Sequence, residues 1–336
     1  MICSTLLTYC PFCQMRVLFL LVLYGALCGA SSDSNQENIE TLTDNGCQSF
    51  CTCVCVVLVL RVPDVQSSTV NVPLTCGEAY RDQPVIWKKN GKLIQALQGN
   101  QVEVQVEEMN GGNFTCHSPN GEYLNHTVIL VQLDPDNRNV ILKEKSPEEG
   151  YIDCSAPNYK GSFHCTWTRT SSRSDATVLL VRAERNMEKI PCQLDADGSK
   201  VLCHDANCPY KEEQHRISLT VYIYSSARLE AYTKSFYLRE IVRPEELPLS
   251  SDGKSFSWDY PDSWEKPCTF FGLQFQVKVV QHGHSCDSSQ EIMKNITEAT
   301  KYEINVKTRR YVFCVRAQDK YTSGPFSPWS KCIDSF

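Results

Sequence analysis

Cys154-Ser-Ala-Pro-Asn-Tyr159-Lys-Gly-Ser-Phe163-His-Cys165-Thr-Trp167 is the stretch on which the reading of this chain turns. Ten residues separate the two cysteines, and Trp167 follows the second by two. Phe163, Cys165 and Trp167 alternate with His164, Thr166 and Thr168, which is the period of a strand with one buried face. The rings and the sulfur then share the inner face, where a disulfide to Cys154 would pin two neighbouring strands. Asn158 to Gly161 are turn formers that let the chain reverse between them. A second pair, Cys192 and Cys203, repeats the ten-residue gap, and Phe326-Ser327-Pro328-Trp329-Ser330 lies close to the end of the sequence. Taken alone, the opening stretch is a disulfide-pinned hairpin in a secreted β-sandwich.

The 336 residues suggest two or three domains, enough for several apolar cores. Nineteen cysteines point to an oxidising compartment. A net charge of −6 argues against nucleic acid and against an anionic membrane surface as partner. With 21% charged and 10% aromatic residues, the composition is that of folded domains.

Outward from the opening stretch, the chain divides as follows. Arg16, the apolar run Val17 to Leu27 and Cys28-Gly29-Ala30 have the layout of a secretory signal, so residues 1–30 are expected to be removed after Ala30. The run is short for a bilayer span. Met15 offers a second start, which would make residues 1–14 an upstream extension. Residues 31–55 are expected to be a disordered, cysteine-containing segment. Cys47, Cys51, Cys53 and Cys55 have no histidine partner and no Cys-x-x-Cys spacing, so a metal site is not supported. Residues 56–136 carry an immunoglobulin-like pattern. Leu74 and Cys76 alternate inward, Trp87 lies eleven residues past Cys76, and Cys116 closes the set. A Cys76–Cys116 bridge would contribute roughly 3–4 kcal/mol by the chain-entropy argument. Asn113, Asn125 and Asn295 head the three N-glycosylation sequons considered, and Asn113 points outward by its alternation with Phe114 and Cys116.

Residues 137–243 form the next domain, with Ile217, Leu219, Val221 and Ile223 alternating in one strand. Pro244 to Pro248 bound a short connection that should be a stiff elbow. Residues 244–336 form the last domain. Its strands are marked by Phe256/Trp258/Tyr260, by Phe271 to Val279 in alternation, and by Tyr311/Phe313/Val315 with Arg316 outward. The expected fold class is therefore all-β: three tandem β-sandwiches, one immunoglobulin-like and two fibronectin type III-like.

Two ten-residue cysteine pairs, the tryptophan between them and an aromatic-Ser-x-Trp-Ser motif resemble the class I cytokine receptor module, whose terminal motif is Trp-Ser-x-Trp-Ser. Here Phe326 takes the first tryptophan's place, with Ser327, Trp329 and Ser330 matching. Within that family, four further runs are similar to the soluble, receptor-like subunits of interleukin-12 and interleukin-23 type cytokines. They are Asn158 to Cys165, Tyr237-Leu-Arg-Glu-Ile-Val-Arg-Pro244, Trp258-Asp-Tyr-Pro-Asp-Ser-Trp264 and Val315-Arg-Ala-Gln-Asp-Lys-Tyr321. The likeness covers Val56 to Cys332.

The resemblance implies a secreted subunit, without membrane anchor or cofactor, that binds a four-helix cytokine subunit of interleukin-12 alpha or interleukin-23 alpha type. The pair would act on cell-surface class I cytokine receptors. It places the helical chain at the elbow of the second and third domains. There Asp319 would accept a partner arginine between walls formed by Tyr321, Tyr159 and Phe270. It pairs Cys154 with Cys165 and Cys192 with Cys203, leaving Cys208 in a polar, proline-bearing loop for an interchain disulfide, to the helical subunit or to a second copy of this chain. Arg316 and Trp329 would stack in the family's ladder, which Cys314 is expected to cut short. Cys332 lacks its family partner, which would fall near Lys307, so a shifted bridge is expected; Cys268, Cys286, Cys314 and Cys332 allow three pairings, and Cys314 is one candidate partner for Cys332.

Three rival readings remain, of which an adhesion molecule built of similar sandwiches is opposed by the Cys192–Cys203 pair and the terminal motif. A soluble alpha-type receptor for another helical cytokine would differ in lacking a disulfide-linked partner, which mass spectrometry of the secreted complex would reveal. For an enzyme there is no Gly-x-Ser-x-Gly, no His-Glu-x-x-His and no Gly-rich phosphate loop, and the seven histidines are scattered.

Overall fold

The computed structural model describes residues 39–42, 56–64, 66, 68–133, 139–206, 213–264, 272–306, 310–322 and 324–333. Strands dominate throughout. The one α-helix among these residues is the single turn Leu238–Ile241, and no helix of the described residues is long and apolar enough to cross a membrane.

In the first sandwich, Thr69–Thr75 pairs with Gln101–Glu107 and faces a larger sheet. That sheet runs Lys92–Gln98, Ile86–Lys89, Gly112–His117 and Tyr123–Leu133, with Val56–Val62 parallel to the last. Trp87, fully buried, packs with the Cys76–Cys116 disulfide, and its indole N–H donates to Gly99 O at 3.0 Å. The expected disorder of residues 31–55 does not hold at Ile39–Thr41, which form a strand antiparallel to Val56–Val62. The reason is apolar: Ile39 packs against the first core, and Leu42 is buried against Val57 and Val59.

The second sandwich joins a four-stranded sheet to a longer one. The first is ordered Cys192–Leu194, Lys200–His204, Ser162–Trp167, Ile152–Ser155. Both disulfides lie within it as directly opposed pairs, Cys154 with Cys165 and Cys192 with Cys203. The facing strands are Glu188–Ile190, Thr177–Arg185, Ile217–Ser225 and Arg228–Phe236. Their sheet continues into the first sandwich through one parallel bridge, Arg228 to Val131, with Val131 N donating to Ala227 O at 2.8 Å.

Beside this bridge, Val57, Val59 and Leu130 pack against Leu229, Leu179, Leu180, Tyr222 and Tyr224 as a separate core. The uninterrupted apolar runs Val56-Val-Leu-Val-Leu60 and Val128-Ile-Leu-Val131 thus have both faces covered, as non-alternating strands require. Glu230, fully buried, ties the incoming chain down. It accepts N–H bonds from Val140 and Ile141 and holds Arg228 and the Tyr232 hydroxyl.

The third sandwich packs Leu249–Asp252, Ser255–Trp258 and Lys301–Glu303 against Glu291–Thr297, Leu273–Gln281, Tyr311–Asp319 and Ser330–Ile333. Phe256 stacks on Phe313 at 4.0 Å in its centre.

Here the candidate Cys314–Cys332 bridge is corrected. Cys314 bonds to Cys286, and Cys332 is a free thiol. Register is the cause. Cys332 lies opposite Phe313 and shares its inward side, whereas Cys314 lies opposite Lys331 on the outer face with Cys286 and Trp329.

Candidate partner-binding elbow

The second and third sandwiches meet where two turns face one joint. Ala156 to Gly161 link the strands Ile152–Ser155 and Ser162–Trp167. Ala156 pairs with the joint: its N–H donates to Ile241 O at 3.0 Å, and Arg243 N donates to Ala156 O at 2.8 Å. Asn158 Nδ2 reaches across to Ser263 O at 2.8 Å. Gly161 closes the turn at φ 95°, and a side chain there would meet Asp205 O at 2.0 Å, so only glycine fits.

From the third sandwich, Asp319 ends the strand Tyr311–Asp319. Its Oδ1 accepts the N–H groups of Tyr321 and Thr322 at 2.7 and 3.0 Å. Its Oδ2 accepts the Tyr159 hydroxyl at 2.8 Å. Thr322 Oγ1 lies 3.3 Å from that hydroxyl. Tyr159 rests edge-on against Trp264 at 6.0 Å. Burial, and then the carboxylate beside it, push the Tyr159 phenol well above its usual range, so it stays a donor. Asp319 is 0% exposed, whereas Tyr321, two residues on, is 65% exposed. Sequence and fold therefore bring Tyr159, Asp319 and Tyr321 together. Phe270 lies outside the described residues.

The loop expected to carry the interchain cysteine is held at both stems. Arg185 Nε donates to Asp205 Oδ2 at 2.8 Å, its Nη2 to Glu213 Oε1 at 3.0 Å, and its Nη1 to His215 O at 2.9 Å. All three charged side chains are nearly buried. Glu213 also accepts Leu238 N and Arg239 N at the start of the helical turn before the joint. Asp205 N donates to Gly161 O at 2.9 Å. Residues 207–212, with Cys208, lie outside the described residues. So do Cys268, residues 1–38 and Cys47, Cys51, Cys53 and Cys55.

The sequence reading did not find Arg185, Asp205 and Glu213. Twenty and 28 positions separate the arginine from its two acids, and no local pattern links them.

On the outer face of the third sandwich, the Arg316 guanidinium lies between Phe326 at 4.1 Å and Trp329 at 4.2 Å. Its Nε donates to Gln276 Oε1 at 2.9 Å. Lys278, opposite Cys314, continues the stack at 5.9 Å from Trp329. The ladder thus recruits a cation from the neighbouring strand at the position that Cys314 leaves without one. The motif's serines hold backbone: Ser327 Oγ accepts Ala317 N, and Ser330 Oγ accepts Leu247 N. Among the sequons, Asn113 and Asn295 are exposed. Asn125 is half-buried, with its amide donating to Cys76 O at 3.0 Å.

The family described as "Cytokine interleukin-12p40 C-terminus" matches residues 149–225, which include the Tyr159 turn and Arg185. The interleukin-12 subunit beta of Papio anubis is 30% identical over 288 residues, covering 77% of this chain and 85% of the relative. Those of Mesocricetus auratus and Homo sapiens are each 29% identical, over 77% of this chain and 84% and 85% of the relatives. By this likeness the chain belongs to the interleukin-12 subunit beta family and is a cytokine subunit of interleukin-12 type.

Proposed function

We propose that the chain is the secreted, receptor-like half of a two-chain cytokine of interleukin-12/interleukin-23 type. It holds a four-helix subunit at the elbow and presents it to cell-surface class I cytokine receptors. The observation that carries this reading is the meeting of Tyr159 and Asp319 across two sandwiches at 2.8 Å, beside the exposed ring of Tyr321. A carboxylate already held by three donors is fixed in place and retains lone-pair capacity for a charged donor. A partner guanidinium would take that capacity and stack on Tyr321 as it arrives. Because Asp319 is fully buried in the lone chain, docking must shift Tyr159 or the loop after Asp319 to reach it. The disulfide from Cys208 then secures a complex formed by surface contact.

The test is co-expression with an alpha-type helical subunit, read by co-precipitation and by a non-reducing gel. The wild-type chain gives a covalent heterodimer. Cys208→Ser abolishes the linked band and keeps co-precipitation. A covalent dimer that survives the substitution would assign the link to another cysteine, and failure of the wild-type chain to pair would overturn the reading as a whole.

A further inference from the structure

One side chain near the elbow breaks two rules at once. Met187 is 89% exposed, and its backbone is left-handed at φ 66°. It is the second residue of the two-residue hairpin turn between Thr177–Arg185 and Glu188–Ile190, with Asn186 at φ 51° before it. Both central residues of such a turn need positive φ, and glycine is the usual second residue. A methionine there is strained and gains no packing within its own chain.

Register places this tip at the elbow end of the second sandwich. Arg185 lies opposite Ile217, Ile217 lies opposite Phe236, and Phe236 leads into the helical turn before the joint. Ser162, which follows the Tyr159 turn, lies opposite His204. The contacts agree. Arg185, two residues before Met187, holds Asp205 and Glu213, and Asp205 N bonds to Gly161 O. The hairpin tip, the stems of the Cys208 loop and the Tyr159 turn are thus one end of one domain, tied by one buried guanidinium.

We propose that Met187 is a further partner-contact residue: its flexible thioether packs on the apolar surface of a helix of the docked subunit, and Arg185 fixes the tip from which it projects. This rests on the elbow reading above and deepens it. A methionine suits such a contact because an unbranched, polarisable chain adapts to an irregular apolar surface. Its exposure and backbone strain are costs in the lone chain that occupancy by a partner would explain.

The experiment uses Met187→Gly, with Met187→Leu as the conservative control, in the full chain carrying Cys208→Ser. Two quantities are measured: thermal unfolding of the lone chain, and affinity for a purified alpha-type helical subunit by surface plasmon resonance. Glycine relieves the left-handed strain, so the lone chain unfolds at an equal or higher temperature. Its affinity nonetheless falls by about five- to tenfold, the range of a mid-sized interface contact. Met187→Leu retains affinity within about twofold, because volume and apolarity are kept. Wild-type affinity in Met187→Gly overturns the inference. If Met187→Gly binds normally while Asp319→Asn does not, the elbow reading stands and this inference alone fails. If the unaltered elbow binds no helical subunit, both fail.

Discussion

At the scale of single residues, the elbow depends on one phenol and one carboxylate from different sandwiches. Asp319 Oδ2 has Tyr159 as its side-chain donor at 2.8 Å, in a site closed to water. Removing a donor from a buried acceptor costs about 1–3 kcal/mol, and more when the acceptor is charged. Tyr159→Phe should therefore lower the unfolding temperature of the lone chain by several degrees while leaving the Ala156–Val242 bridge residues in place. Calorimetry of the secreted variant checks this, and an unchanged transition would show that the hydroxyl does not bind the carboxylate in solution. Both residues were visible in the sequence, but only through the family likeness. In sequence, Asp319 is a loop carboxylate like many others; 160 positions separate it from Tyr159, and only the fold shows that the two touch.

Among the elements, the strands were the most legible. Ile217, Leu219, Val221 and Ile223 alternate in sequence and are each fully buried in the structure, because one inner face needs one apolar residue in two. Elements with two covered faces were less legible. In Tyr311–Asp319 the outward Val312 and Cys314 are also buried, under Cys286 and Trp329. A period-two reading takes that face for solvent and so gives no sign that Cys286 closes over Cys314 there. Charge networks between elements left no local trace, and the Arg185 cluster is the clearest case. Arg185→Met would leave Asp205 nearly buried without the Arg185 guanidinium and Glu213 with Arg239 alone, at 3.6 Å, at a cost of about 3 kcal/mol, the lower end for a broken buried pair. Chemical denaturation should show that loss, with an unchanged denaturant slope. A loss below about 0.5 kcal/mol, typical of surface substitutions, would mean that the stems are held by backbone alone.

At the scale of the molecule, the three sandwiches do not behave as beads on a string. The first two share a sheet and a buried apolar seam, and the second and third share the Ala156 bridge and the Tyr159–Asp319 contact. The chain should unfold with coupled domains, and its pH response should be collective. Burial lowers the pKa of His117 from the ordinary 6.5, with Lys88 adding to it. Burial also lowers that of His126, and burial followed by Lys200 lowers that of His164. With folded values depressed, the unfolded chain binds more protons as acid is added. Stability from these groups is complete above about pH 6.5 and declines below it. Unfolding temperatures measured from pH 7.5 to 5.0 should fall through that window, with His164→Gln removing part of the slope. A flat profile would show that the three imidazoles are equally solvated in both states.

The central claim is that the elbow between the second and third sandwiches is where a helical partner binds, with Asp319 as its charged anchor. Affinity for a purified alpha-type helical subunit, measured by surface plasmon resonance, tests it most directly. The comparison is between the chain carrying Cys208→Ser and the same chain carrying Asp319→Asn as well. Asparagine keeps an oxygen for the N–H groups of Tyr321 and Thr322, so the fold survives while the charge is lost. Loss of one member of a buried charged pair costs about 2–5 kcal/mol, which corresponds to a dissociation constant raised by about thirtyfold or more. A dissociation constant within about twofold of the parent, set against that thirtyfold, would place the partner elsewhere on the molecule.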